Sequence, residues 1–395
     1  MNKFFLVASM ILASFFLNAQ SGTEGYKFTV VKENTITSIK NQANSGTCWS
    51  FAGVSFLESE LLKMGKGTHD LSEMYIVRRN YEDKAVKYVR LHGHLNFAGG
   101  GSFADVIETI DEYGVVPENE YRGLEYGEDN HKHGEIDYLL KNYMKGVVAN
   151  KNNTLSPVWF KGCNGILDAY FGQKPTDFLY NGKSYTPQSL ATELELKSDN
   201  YISLSSFTHH DFYTQFPVEV PDNWRWSNSY NLPLDEFIEA IDNALMNGYT
   251  VAWATDVSEV GFSRSGIAIV PDLEASENAG SDQAHWLGLS VGERTNEVRG
   301  KIGKEVLKEK TITQEDRQIG YDNHQTTDDH GMHIYGIAND QHGNKYYMVK
   351  NSWGETGPYD GFWYASEAFV RYKTTNVTIN KAGLPEAIAT KLNIK

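Results

Sequence analysis

Cysteine is scarce in this chain: 395 residues carry two, Cys48 and Cys163. At most one disulfide can form, so the fold cannot rest on a cross-linked framework. Positive charge is also in deficit, with 36 Lys and Arg against 51 Asp and Glu and a formal net charge of −15. An acidic chain is badly placed to neutralise phosphates, which argues against a nucleic-acid partner. Beyond the first 19 residues no apolar run is long enough to cross a bilayer. Internal repeats, low-complexity tracts and clear linkers are missing too, which favours one large two-lobed unit over an array.

What is present begins with an export pattern. Lys3 precedes the apolar run Phe4 to Leu17, and Asn18-Ala19-Gln20 follows, the layout of a signal peptide cut after Ala19. Residues 1–19 are expected to be removed, leaving residues 20–395 as a soluble exported protein, periplasmic or secreted, without stable membrane insertion.

The chain is organised around Asn41 to Phe51 (NQANSGTCWSF), where a polar, turn-prone run delivers Cys48 to the start of a helix-patterned segment. Phe51, Val54, Leu57, Leu61 and Met64 recur at helical spacing, with Glu58, Glu60 and Lys63 expected on the opposite face and Gly65 as the stop. Unpaired N–H groups at a helix start favour an anion, so the Cys48 thiol is expected to have a lowered pKa. Six residues upstream, the Gln42 amide and the Cys48 N–H offer two donors for an oxyanion. A lone cysteine is equally a small core hydrophobe, and a nucleophile needs a base. The segment Thr327 to Ala338 (TDDHGMHIYGIA) places His330 where a loop enters an apolar strand, Lys345 to Asn351 reads as the next strand, and Asn351 stands at its end. A thiol, an imidazole and an orienting amide form a nucleophile, base and orienter set.

The order Gln42, Cys48, His330, Asn351, the CWSFA run and the NSWG run at 351–354 resemble the papain-like cysteine peptidases. Gly100-Gly101 with EYGVVP at 112–117, VPDNW at 220–224, YNLPLDEF at 230–237 and HGM at 330–332 resemble its bleomycin hydrolase and aminopeptidase C branch. The resemblance implies an α+β, two-lobed fold: a helical lobe mainly over 40–245 with an insertion at 121–205, and an antiparallel sheet lobe mainly over 250–395 with an insertion at 273–329. It also implies that Trp353 shields the His330–Asn351 contact, that Gly100 and Gly101 admit an extended substrate, and that the carboxylate of Lys395 receives a substrate's α-amino group. In that family a glycine closes the strand six residues after the base; Gly336 stands six after His330, which favours His330 over His333. Strand alternation turns His333 to the opposite face. The implied partners are peptides, with a hexameric homo-oligomer and no metal or cofactor. His92 and His94 form an H-x-H pair with no further ligand cluster nearby. An endopeptidase, an acyltransferase using the same residues, and a binding protein that has lost the chemistry are the alternatives. The GCNG run around Cys163 is read as a coincidental match.

Within the insertions, helices are expected over 136–148, 189–196 and 301–309.

Overall fold

The computed structural model describes residues 25–152, 154–272 and 291–394. The expected leader, Met1 to Ala19, and Lys395 lie outside them. Helices dominate the first half: α1 (Cys48–Lys63), α2 (Glu73–Arg90), α3 (Phe103–Tyr113), α4 (Gly134–Val148), α5 (Val158–Phe171) and α6 (Pro187–Glu193). Local chemistry sets their ends. Ser72 caps α2 by accepting the Tyr75 N–H at 3.0 Å, and the Asp105 carboxylate accepts the Ser102 N–H at 2.7 Å to start α3. Gly114, at φ 78°, supplies the left-handed turn that ends α3.

The strands are β1 (Thr29–Glu33), the separate hairpin β2 (Phe178–Tyr180) and β3 (Lys183–Tyr185), then β4 (Tyr201–Ser205), β5 (Gln215–Pro217), β6 (Asn228–Asn231), β7 (Val251–Thr255), β8 (Phe262–Ser263), β9 (Ile267–Ala268), β10 (His330–Asn339), β11 (Lys345–Lys350), β12 (Phe362–Ser366) and β13 (Thr374–Asn380). Among them run α7 (Leu234–Met246), α8 (Val291–Lys301), α9 (Gln314–Asp322) and α10 (Glu367–Lys373), and α11 (Glu386–Lys391) ends the described chain. Apart from the hairpin, the strands form one sheet in the order β5-β6-β4-β13-β7-β10-β11-β12-β9-β8, with β1 also pairing on β10. Its centre, β10, pairs antiparallel with β7 and β11.

Two large apolar cores result, one among α1 to α6 and one between α7 and the sheet, with smaller clusters beside them. The change of core falls at Tyr201–Ile202, earlier than the expected boundary near 245. The reason is pairing: β4 hydrogen-bonds to β13, which carries residues 202–246 into the sheet lobe. Helix α1 lies between the cores and is buried all round from Trp49 to Leu61. Glu58 and Glu60, expected on a polar face, are therefore buried. Glu58 accepts the Thr37 hydroxyl at 2.6 Å and the Leu71 N–H at 2.9 Å, and Glu60 accepts the Asn380 amide at 2.5 Å. Buried carboxylates persist only with such partners.

Three further expectations change. Gly336 does not close β10, which runs on to Asn339; a Cβ there would stand 2.5 Å from the Lys32 carbonyl oxygen, so glycine lets β1 pair closely alongside. The helix expected over 301–309 ends where it was to begin, at Lys301, because Gly303 turns the chain at φ 84° and Glu309 then bridges to Pro271. Helix α5, carrying Cys163, had no anticipated place.

Candidate active site

The loop before α1 is fixed from two sides. Residues 40–42 pair with 352–354: the Gln42 N–H donates to the Ser352 carbonyl at 2.8 Å, the Gly354 N–H to that of Lys40 at 3.1 Å, and Asn41 bridges Trp353. From the insertion, the Asn44 N–H donates to the His131 carbonyl and the His133 N–H to that of Asn44, both at 3.0 Å. His131 also sets its ring edge-on to Phe51 of α1. The insertion at 121–205 thus clamps the loop that delivers Cys48.

Cys48 opens α1 and lines a cleft together with Gly101, Asp222, Asp328, Asp329 and His330. His330, the first residue of β10, is buried, and its Nε2 lies 2.8 Å from Asn351 Oδ1. That oxygen also accepts the Ser352 N–H at 2.8 Å, which fixes it as the acceptor. Nε2 therefore carries hydrogen in the neutral ring, and Nδ1 is the basic nitrogen. Trp353 stacks on His330 with ring centroids 4.8 Å apart and an interplanar angle of 29°. His333 points the other way, its Nδ1 2.9 Å from Ser55 Oγ in the middle of α1.

Gln42 is buried, with its Oε1 accepting the Ser352 hydroxyl at 2.6 Å and its Nε2 donating to the Ser45 carbonyl at 2.9 Å. The amide is locked, and Nε2 has a second hydrogen to offer. Ser352, to which sequence reasoning gave no role, links the Asn351 and Gln42 loops.

The electrostatics correct one expectation. Burial pushes the Cys48 thiol up to about 12; the N–H groups of Gly331 and Trp49 favour the thiolate, while the Asp222 and Asp328 charges oppose it. Burial likewise pushes His330 down to about 4, against the Asn351 bond. Desolvation thus opposes the helix start and favours the neutral form of both groups.

Of the implied substrate glycines, Gly101 lines the cleft. Gly100 lies beneath Asp222, and its carbonyl is taken by the Lys84 ammonium. The described part of the tail packs away from the cleft. Ile388, Leu392 and Ile394 pack into the sheet-lobe core, Lys391 pairs with Glu236 of α7 at 2.8 Å, and no described tail residue lines the cleft. Lys395 itself lies outside the described residues. Cys163 is fully buried in α5 as a free thiol. Away from the cleft, His209 and His210 both bond the Glu219 carboxylate, at 3.1 and 3.0 Å.

Comparison with known proteins agrees with the geometry. The description "Papain family cysteine protease" matches residues 26–163 and "Peptidase C1-like family" matches residues 274–395. Aminopeptidase C of Listeria monocytogenes is 21% identical over 388 residues, covering 90% of this chain and 82% of the relative. Aminopeptidase C of Streptococcus thermophilus is 21% identical over 393 residues, covering 87% and 80%. Among solved structures, PepW from Lactobacillus rhamnosis has a TM-score of 0.67 at 20% identity, covering 92% of this chain and 84% of its own. The chain belongs to the papain-like cysteine peptidases, and relatives that align with most of its length are named aminopeptidase C.

Proposed function

We propose that the protein removes amino-terminal residues from peptides through a Cys48 acyl-enzyme. The observation that carries the reading is the His330 ring, fixed by Asn351 and Trp353 with its basic Nδ1 left for a proton and Cys48 in the same cleft. In this reading Nδ1 takes the Cys48 proton as the sulfur attacks the peptide carbonyl, and a C–S bond forms. The Cys48 N–H and the Gln42 amide hold the oxyanion. Collapse breaks the C–N bond, His330 returns its proton to the leaving amine, and a water deprotonated by His330 hydrolyses the thioester.

The restriction to amino-terminal residues is supported by the relatives named aminopeptidase C. Export is supported by the Met1 to Ala19 pattern, and a homo-oligomer by the family resemblance alone. Sequencing the product termini from a peptide library tests the cut position. Stepwise loss from free amino termini is expected, and internal cuts in N-acetylated peptides at equal rates would make the protein an endopeptidase. Mass balance on the same digest separates hydrolysis from acyl transfer.

A further inference from the structure

Three carboxylates line the cleft with Cys48 and His330; Asp329 is taken by the Val257 N–H, and Asp222 and Asp328 form no ion pair among the described residues. Asp222 comes from a loop that reaches across from the sheet lobe. That loop is anchored at its far side, where Trp224 Nε1 and Arg225 Nε donate to the buried Asp105 carboxylate at 3.0 and 2.7 Å. The anchor holds Asp222 over Gly100, so closely that a Cβ on Gly100 would meet a carboxylate oxygen at 2.2 Å. Gly100 thus makes room for Asp222, and Asp222 stands where an extended substrate would pass Gly100. Its oxygens otherwise meet Asn96 Nδ2 at 3.4 Å.

Asp328 enters from the other side, immediately before β10. Its neighbours are tied to the segment that follows β7: the Thr327 N–H donates to Asp256 at 2.9 Å, and Asp329 accepts the Val257 N–H at 2.8 Å. Asp328 is left lining the cleft beside Asp222.

The chemistry that fits is a cation. The nearby Lys84 ammonium is committed to the carbonyls of Ala98 and Gly100, so it does not close either carboxylate. Both groups flank the nucleophile, and the described tail does not reach them.

We propose that Asp222 and Asp328 form the subsite that receives the substrate's free α-ammonium, with Asp222 also closing the groove beyond it. Two rigid acceptors in a partly desolvated cleft give charge-assisted bonds that an N-blocked peptide cannot make. Burial and the Asp222 charge push Asp328 up to about 8, and an ammonium bound between the two would favour its charged form.

The inference rests on the aminopeptidase reading, and its test separates the two. Asp222→Asn, Asp328→Asn and the double variant are compared with wild type on a free aminoacyl anilide and its N-acetyl counterpart, with circular dichroism and Cys48 alkylation to confirm an intact site. The expected result is a loss of roughly 10- to 100-fold in kcat/KM on the free amine in each folded variant, with the N-acetyl substrate unchanged or improved. Asp328→Asn lies in the second loop and keeps the test open if Asp222→Asn fails to fold. An unchanged ratio between the two substrates in folded variants overturns the subsite. So does a loss confined to N-blocked peptides with Arg or Lys before the cleaved residue, which would assign the carboxylates to a side chain. A wild type that cleaves neither substrate overturns the aminopeptidase reading instead.

Discussion

Replacing Asn351 probes how the base is held. In wild type the 2.8 Å contact to Asn351 Oδ1 selects the tautomer with hydrogen on Nε2, and Trp353 covers that bond. A neutral hydrogen bond is worth roughly 0.5–1.5 kcal/mol and one to a charged group roughly 1.5–3. The contact therefore strengthens by about 1.5 kcal/mol when His330 becomes cationic, and losing that difference lowers kcat about tenfold. A freed ring and a mixed tautomer add to this, so Asn351→Ala should lose about 10- to 100-fold in kcat, with KM little changed. Asn351→Asp works in the opposite sense on the proton. Burial holds His330 down at about 4, and a carboxylate at 351 would raise it. Since activity fails once His330 is already protonated, the acid limb of kcat should move to higher pH. The assay is steady-state hydrolysis of an aminoacyl anilide across pH 3.5–8, within the folded range. Full kcat in Asn351→Ala, or a loss confined to KM, would refute the assignment.

Other expectations follow from the same contacts. Gln42→Ala should lower kcat by roughly 10²–10³, and a loss in KM alone would make Gln42 a binding residue. His330→Ala should abolish turnover while His333→Ala retains most of it, since His333 meets Ser55 rather than the cleft; the reverse pattern in folded variants would exchange their roles. Cys163→Ser should keep kcat within about twofold, because Cys163 is packed in α5; a Cys48–Cys163 disulfide in active enzyme would contradict this. Burial lowers His131 to about 4, against 6.5 unfolded. The unfolded chain therefore takes up the proton first, and stability from neutral His131 is lost as pH falls from 6.5 towards 4. At about 1.36 kcal/mol per pKa unit the loss is of order 3 kcal/mol, so His131→Asn should show a shallower fall in Tm than wild type over that range. Equal slopes would contradict it.

The polar site residues were legible because the chemistry needs a thiol, an imidazole and amides in forms that few other contexts bring together. Their supports were not. Glu58 and Glu60 sit at polar positions of a helical pattern, yet partners as distant as Thr37 and Asn380 bury them. The lobe boundary moved because β4 pairs with β13, some 170 residues on, and nothing near Tyr201 announces that. Asp222 and Asp328 stood inside motifs already singled out, but as acids they carried no signal until Gly100 and Cys48 came beside them. The thiol pKa was misjudged for the same reason, since desolvation is set by packing and outweighs the helix start that the sequence displays.

The central claim is a covalent intermediate on Cys48. Rapid-quench mass spectrometry of the Cys163→Ser protein with an activated aminoacyl ester, followed by peptide mapping, tests it directly. The account predicts a transient mass increase equal to the acyl group on the peptide holding Cys48, absent in Cys48→Ala, which should be inactive. An acyl group on any other residue, or turnover by Cys48→Ala, would contradict it.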